Sequence, residues 1–455
     1  MKDKIYIANG QGFWGDSIDA PVELVKGGKL DYLTLDYLAE VTMSIMQRQK
    51  LKKPTLGYAT DFVQLIERIL PAIMDKNIKV IANAGGVNPE ACREAVFNVA
   101  KKLGIKGLKI GIVHGDNILD RIKEFESQNI AMKSMDSGES LYDLMKQGND
   151  ILSANAYMSS KPLVEALAQG AQIIIAGRTT DTGLAMAPMV HEFGWSWNDW
   201  NKLAAGTVAG HIIECGAQCT GGNFTRWRDV PELWNVGYPI VEAHPDGIFY
   251  VTKHDGTGGL VSVDTVSEQL VYEMGDAKNY ITPDVIADFT SIRLEQAGKD
   301  RVKVFDIKGK PSTEFFKVSA SYLKGYKASG QLTISGPDAY DKAKLCGDML
   351  WKRLARAGMT YEETSTEFLG VNSCHEGIVT IPQQVNEVVL RVGVKDKDQK
   401  KVDRFGKELA PLVTSGPPGV TGFAGGRPKP QEIVAFFPAL IPKKLITTTV
   451  SVQEV

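Results

Sequence analysis

Arg178 and Asp181 stand three residues apart in Gly177-Arg178-Thr179-Thr180-Asp181-Thr182, directly after the apolar run Gln172–Ala176. A guanidinium in that place can fork onto a carboxylate or phosphate, and the nearby carboxylate can act as a general base. The same spacing suits an Arg–Asp pair that only braces its loop. His114 and Asp116 follow the run Lys109–Val113 in the same way, as an oriented acid/base pair or as hydrogen-bonded strand-end residues. The segment AAGTVAGHIIECGAQC, residues 204–219, is rich enough in small residues to pack tightly as a helix. On such a helix His211, Cys215 and Cys219 share one face, with Glu214 beside them. Their spacing matches no standard zinc site, so no metal ligand is assigned. Glu214 reads either as a buried carboxylate with a raised pKa or as half of a structural ion pair. His254-Asp255-Gly256-Thr257-Gly258-Gly259 precedes the helical run Thr265–Glu273. Glycine N–H groups before a helix can cradle an anion, and His254 could supply a proton.

Three more loops follow apolar runs and carry side chains able to bind a substrate. They contribute Asn9, Gln11 and Gly12; Asn83 and Gly85; and Asn155, which precedes Tyr157. Gly10-x-Gly12-x-x-Gly15 fits the letters of a dinucleotide fingerprint, with Asp36 at the end of the next run as the acidic position. Phe13 and Trp14, however, occupy places where a phosphate needs close backbone approach, which favours a substrate loop. The stretch SGPPGVTGFAGGRPKP, residues 415–430, reads as a lid whose Arg427 could meet an anionic group such as a coenzyme A phosphate.

These loops need a scaffold that brings them to one place. Runs at Lys4–Ala8, Tyr32–Asp36, Lys79–Ala82, Lys109–Val113, Ile151–Ala154 and Gln172–Ala176 alternate with amphipathic helices such as Asp61–Lys76, Pro89–Leu103 and Lys161–Gln169. Asn88-Pro89 suits a capped helix start. The alternation predicts an α/β fold with a mostly parallel sheet and helices on both faces, and ligands bind such sheets beyond the carboxyl ends of the strands. An aromatic, glycine-dense cap is expected around 195–255. The chain of 455 residues exceeds one ordinary core, so two domains are expected: 1–300, and a smaller α+β domain over 301–455. In the second, Cys346, Leu350 and Leu354 mark the buried face of a helix over Tyr340–Ala357.

Hydrophobic residues make up 43% and charged residues 23%, with a net charge of -2, which leaves no electrostatic footprint for nucleic acid or an anionic membrane. The start, MKDKIYIANGQG, lacks a signal-peptide pattern, and no run reaches the roughly 18 apolar residues of a membrane span. Five sparse cysteines point to free thiols in a reducing compartment, so the cytoplasm is expected.

The segments GQGFWGDS, LDYLAEVTM, AGRTTDTGLA, AAGTVAGHIIECGAQCTGGNF, HDGTGG, YITPDVIADF and LVTSGPPGVTGFAGGRPKP together resemble the acyclic terpene utilisation protein family, from residue 4 to 445. The resemblance implies a role in the catabolism of branched acids, in pathways that proceed through coenzyme A thioesters. Some members carry a further small α/β domain, so a separate small partner subunit is expected. It assigns no catalytic residues. From the residues themselves the expected activity is that of a hydratase or lyase on a branched carboxylic acid or its CoA thioester. Asp181 or Glu214 would be the base, His114 or His254 the acid, Arg178 and the Gly256–Gly259 backbone the anion clamps, and Asp116 and Asp255 further substrate contacts. No cofactor beyond CoA as a carrier is implied, and a homo-oligomer is expected. A non-catalytic subunit of an acyl-CoA complex and a metal-dependent hydrolase are the competing readings.

Overall fold

The computed structural model describes residues 2–371, 373–375, 377–378, 380–381, 384–422 and 425–455. Six strands run through the first part of the chain: β1 (Ile5–Asn9), β2 (Tyr32–Leu35), β3 (Lys79–Ala82), β4 (Lys109–His114), β5 (Ile151–Ala156) and β6 (Ile173–Ala176). Next come β7 (Ile240–Ala243) and β8 (Phe249–Thr252), then β9 (Tyr280–Ile281) and β10 (Val285–Asp288). After these lie β11 (Arg293–Gly298), β12 (Arg301–Phe305), β13 (Lys308–Pro311) and the long β14 (Phe315–Ser335). The remaining strands are β15 (Glu363–Leu369), β16 (Glu387–Asp396), β17 (Val420–Gly422), β18 (Gln431–Pro442) and β19 (Thr449–Glu454).

The chain divides into two compact units, one of residues 1–321 with 436–455 and one of 322–435. The first unit therefore takes in more than the expected 1–300. Strand β12, just past residue 300, pairs with β8, and β19 ends antiparallel on β4.

The main sheet of the first unit runs β11-β12-β8-β7-β1-β2-β3-β6-β4-β19. Its centre, β1-β2-β3-β6-β4, is parallel. Every other pairing is antiparallel, so the sheet is mixed rather than mostly parallel. Connection length explains the difference. Helices cross between the parallel strands, whereas β7 and β8 are joined by a turn too short for anything but an antiparallel pair. The central strands are buried on both faces, as the all-buried Ile173-Ile174-Ile175-Ala176 shows, while β11 at the edge is largely exposed. Three strands depart from expectation. The aromatic region expected as a cap supplies β7 and β8 to this sheet, and β5 leaves it to pair with β14.

The helix Thr60–Asp75 buries Phe62, Leu65, Ile66, Ile69, Leu70 and Ile73, a stripe at helical spacing. Pro89 does open the helix Pro89–Lys102, but Asn88 makes no cap bond. Its amide instead ties down the carbonyls of Pro54 and Leu56 at 2.9 and 2.7 Å. The helix Trp200–Ile213 buries every residue from Leu203 to Ile213. It lies against the helix Gly183–Phe193 so closely that a Cβ on Gly206 would stand 2.5 Å from Met186 Cγ, and one on Gly210 2.4 Å from the Thr182 carbonyl oxygen. Small residues here bring the end of one helix against the loop after β6. Among the described residues no helix is long and apolar enough to cross a membrane.

In the second unit the far half of β14 pairs antiparallel with β16, and β16 with β15. The helix Ala339–Arg356 buries Cys346, Leu350 and Leu354 against Leu390, Val392, Phe405 and Leu409.

Candidate functional site

A cavity of ≈ 440 Å³ opens in the first unit where several chain segments meet. Asp181 and its neighbours Thr180 and Thr182 come from the loop after β6, and Glu214 from the end of the helix Trp200–Ile213. Glu40 follows β2, Tyr157 follows β5, Tyr280 lies on β9 and Lys317 on β14. Met135, Ile281, Pro283, Phe315 and Leu440 give the cavity an apolar side. The size and mixed lining are those of a small-molecule site.

Arg178 lies behind this wall, 2% exposed. Its Nη2 donates to Asp181 Oδ2 at 3.2 Å and Nη1 stands 3.1 Å from Oδ1. Nη1 also donates to the Leu38 carbonyl, and the guanidinium stacks 4.0 Å from the centre of the Tyr157 ring. Burial alone would weaken its charge, but Asp181, Tyr157, Asp36 and Glu40 around it raise its pKa and hold it cationic. Asp181 shares that one cation with other acids. Burial pushes its carboxyl well above the ordinary range; Arg178 offsets this only in part, and the charges of Asp36, Glu214 and Glu40 push it further. Its loop is pinned from below by Asp116. One oxygen of Asp116 accepts the Arg178 backbone N–H and the Asn155 amide, each at 2.8 Å.

Glu214 Oε1 stands 3.2 Å from Nδ1 of His211, while Oε2 is buried without a protein partner. The backbone that carries it is fixed by Asn9, whose amide donates to the carbonyls of Ile213 and Glu214 at 2.9 and 3.0 Å. Those carbonyls are the free ends of the helix, and Asn9 satisfies them. On the far wall, the Tyr157 hydroxyl donates to Glu40 at 2.8 Å, and Lys317 Nζ lies 3.6 Å from the same carboxylate. Burial works against the Glu40 charge, yet its hydrogen bonds and nearby cations bring its pKa below the usual value.

The sequence matches the model of the acyclic terpene utilisation family protein AtuA over residues 5–452. The chain belongs to this family. Comparison with curated proteins and with solved structures finds no match.

For a member of this family, the expected site residues separate into three groups. Asp181 and Glu214 share the cavity, with Arg178 supporting the first from behind rather than reaching in as an anion clamp. A second group braces the site. Asn9, Asp116 and Asn155 act as described, and Asn83 donates to Asp36 at 2.6 Å while accepting the Tyr37 N–H at 2.7 Å. Asp36 is thereby engaged by protein. Gln11 is buried, 2% exposed, on the loop between β1 and Asp16. Gly12 is a packing glycine, since a Cβ there would stand 2.9 Å from the Cys215 carbonyl carbon, and Gly85 is another, 2.7 Å from the Ala176 oxygen.

The third group lies elsewhere. His114 and Asp116 do not pair: His114 turns to Glu90 at 3.3 Å and Asp116 to Asn155 and Arg178. The His254–Gly259 turn does not fold over Asp181. His254, Asp255, Gly256 and Thr257 border a separate cavity of ≈ 500 Å³ with Glu23, Trp234 and Tyr238. Two of the N–H groups expected to clamp an anion, those of Gly258 and Gly259, donate to the carbonyls of Asn235 and Pro231. Arg427 is exposed in the second unit, and Phe423 and Ala424 of its expected lid lie outside the described residues. The helix that carries His211 ends at Ile213 and a 3₁₀ turn covers Gly216–Thr220, so His211, Cys215 and Cys219 do not continue along one helical face. Among the described residues no group of three or more His, Cys, Asp or Glu side chains is placed to hold a metal ion.

Sequence reading left out Glu40, Tyr280 and Lys317, and gave Tyr157 and His211 no role in the site. Glu40 and Tyr157 follow strands and were within reach of the same strand-end logic. Tyr280 sits on the two-residue β9 and Lys317 near the start of the long β14, and no local pattern marks them.

Proposed function

We propose that this protein is an enzyme of branched-acid catabolism in acyclic terpene utilisation, adding water to, or eliminating it from, a branched acyl thioester. The observation that carries the reading is a pair of carboxyl groups, among the four that line one cavity, in different electrostatic settings. Asp181, whose carboxyl is pushed well above the ordinary range by burial and the acids around it, suits a proton donor, and Glu214, beside a histidine, suits a base. In hydration Glu214 takes a proton from water, the hydroxyl oxygen bonds to the β-carbon, and Asp181 gives its proton to the α-carbon as the double bond is lost. Elimination runs the same steps backwards.

The charges favour a thioester over the free acid. Lys317 lies against Glu40, and Arg178 lies behind the wall among Asp181, Asp36 and Glu40, so among the described lining residues neither cation is free to meet a ligand charge. A free carboxylate entering this cavity would be desolvated among acids with no cation to meet it, and that is costly. An uncharged thioester meets no such penalty, and Met135, Ile281, Phe315 and Leu440 suit a branched hydrocarbon chain.

The test is turnover of branched 2-enoyl and 3-hydroxyacyl thioesters. Asp181→Asn and Glu214→Gln should each lower kcat by roughly 10²–10⁴-fold. Full activity in both variants overturns the assignment. Binding of the thioesters by the wild-type protein with no turnover points instead to a non-catalytic subunit.

A further inference from the structure

His211 does not line the cavity, yet it is a buried ionisable group held on both ring nitrogens beside it. It lies near the end of the helix Trp200–Ile213, 3% exposed, with the edges of Tyr280 and Phe289 packed against its ring at 5.4 and 5.2 Å between centres. Its Nε2 stands 3.0 Å from the backbone carbonyl of Gln269, and the Gln269 side-chain amide donates back to the His211 carbonyl at 3.0 Å. These two bonds clamp the helix Trp200–Ile213 to the helix Val263–Val271. A carbonyl can only accept, so Nε2 must carry a hydrogen in every protonation state of the ring. The titrating nitrogen is then Nδ1, which faces Glu214 Oε1 at 3.2 Å.

We propose that His211 and Glu214 form a proton-sharing pair, in which the Gln269 clamp fixes His211 as the positioning residue that orients Glu214 and takes up the proton it receives. The step is a transfer within the pair. The proton that Glu214 takes at Oε2 is brought round by rotation of the carboxyl group and passes to Nδ1 of the neutral ring, leaving a carboxylate and an imidazolium, and it returns by the same route when the cycle closes. Glu214 Oε2, buried and without a protein partner, is the oxygen left for the ligand. The groups around the pair are consistent with a cationic ring. The Tyr280 hydroxyl lies 3.5 Å from Nδ1, Glu273 lies beyond the helix Val263–Val271, Cys215 adjoins Glu214, and Asp181 and Asp36 carry the nearest further acids. Burial pulls the His211 pKa down, but the bond to Glu214 and its charge, the Gln269 carbonyl and Glu273 outweigh it.

The catalytic use of the pair rests on the reading of Glu214 as base, whereas the pairing itself does not, and the experiment separates them. Nitrogen-15 NMR of histidine-labelled full-length protein reads the protonation of each ring nitrogen across pH, with no substrate needed. In the wild type His211 should keep Nε2–H throughout, with Nδ1 titrating above the ordinary value, and Glu214→Gln should move that titration to lower pH. An Nε2 without hydrogen, or a titration unmoved by Glu214→Gln, overturns the pairing. With the thioester that turns over, His211→Asn should lower kcat by about tenfold or more, shift the pH–rate profile and leave KM within about threefold. A profile superimposable on that of the wild type overturns the positioning role. Should His211→Asn fail to fold, Gln269→Met, which removes only the side-chain half of the clamp, is read by the same profile. Full turnover in Glu214→Gln would sink the base assignment while the NMR titration still decides the pair.

Discussion

The loops Gly177–Thr182 and His254–Gly259 look alike as sequence: each is short, rich in glycine, threonine and aspartate, and holds one strongly basic or titratable residue. Their surroundings are opposite. In the first, Asp181 reaches a cavity wall while its neighbour Arg178 is fully enclosed, so charge is concentrated beside an open space. In the second, Gly258 and Gly259 give their N–H groups to other backbone carbonyls, and His254 rests against the end of the helix Ala20–Gly27, where a Cβ on Gly27 would lie 2.6 Å from its Nδ1. The first loop sets a carboxyl shared with a buried cation against its cavity. The second borders a cavity of its own and leaves His254 Nε2 without a hydrogen-bond partner among the described residues, but commits its Gly258 and Gly259 N–H groups to joining chain segments. Residue type says what a group can do, and only its partners say whether it is still available to do it.

The sharpest way to break this comparison is Arg178→Met. If the first loop is organised around a buried charge, its removal leaves Asp181 and Asp36 facing each other uncompensated, and urea unfolding at pH 7 should show a loss of about 3–5 kcal/mol. A loss under about 1 kcal/mol would mean that Arg178 is not the counter-charge.

Asp116, which pins the same loop, gives the next largest effect. Burial pushes its pKa up to about 6, against the lowering effect of the Arg178 N–H and the Asn155 amide. A pKa raised by folding contributes stability that is fully present below the unfolded value, near 3.8, and is lost as pH rises through about 6. Relative to Asp116→Asn, which keeps an acceptor oxygen, the wild type should therefore lose about 3 kcal/mol between pH 3 and pH 8. A stability difference that is flat over this window removes the idea of a carboxyl buried at a cost.

For the second loop the expectation is structural. A Cβ at Gly258 would stand 2.3 Å from the Glu232 carbonyl oxygen, so Gly258→Ala should destabilise by about 1–3 kcal/mol while folded protein keeps its kcat. The smallest effect belongs to His254→Ala, which should leave turnover within about twofold of the wild type, a barrier change below about 0.5 kcal/mol. A large loss of kcat there would reverse the assignment of the two loops.

Much of the central sheet was legible because its strands are short apolar runs with polar ends, and Ile173–Ala176 or Val80–Ala82 admit few other readings. Asp181 and Glu214 were legible for a related reason, as carboxylates next to residues bound to be buried. The antiparallel flanks were not, since β7 and β8 lie in an aromatic stretch whose pattern does not say which edge it will join. Nor was the role of Asn9, which resembles a ligand contact in sequence and is a clamp on a helix end 204 residues away.

By itself the sequence determined that buried parallel strands would form and end in polar loops, because continuous apolar runs between helices can be satisfied in few other ways. It also determined family membership, through motifs spread over residues 5–452. The tertiary structure decided which polar groups remain available. It set His211 against Gln269, closed Asp116 onto the Arg178 N–H, and drew Lys317 and Tyr280 to a wall they share with Asp181. Hydrogen bonds and ion pairs act over a few ångströms in space, and these partners are tens to hundreds of residues apart along the chain, so no local pattern could have announced them.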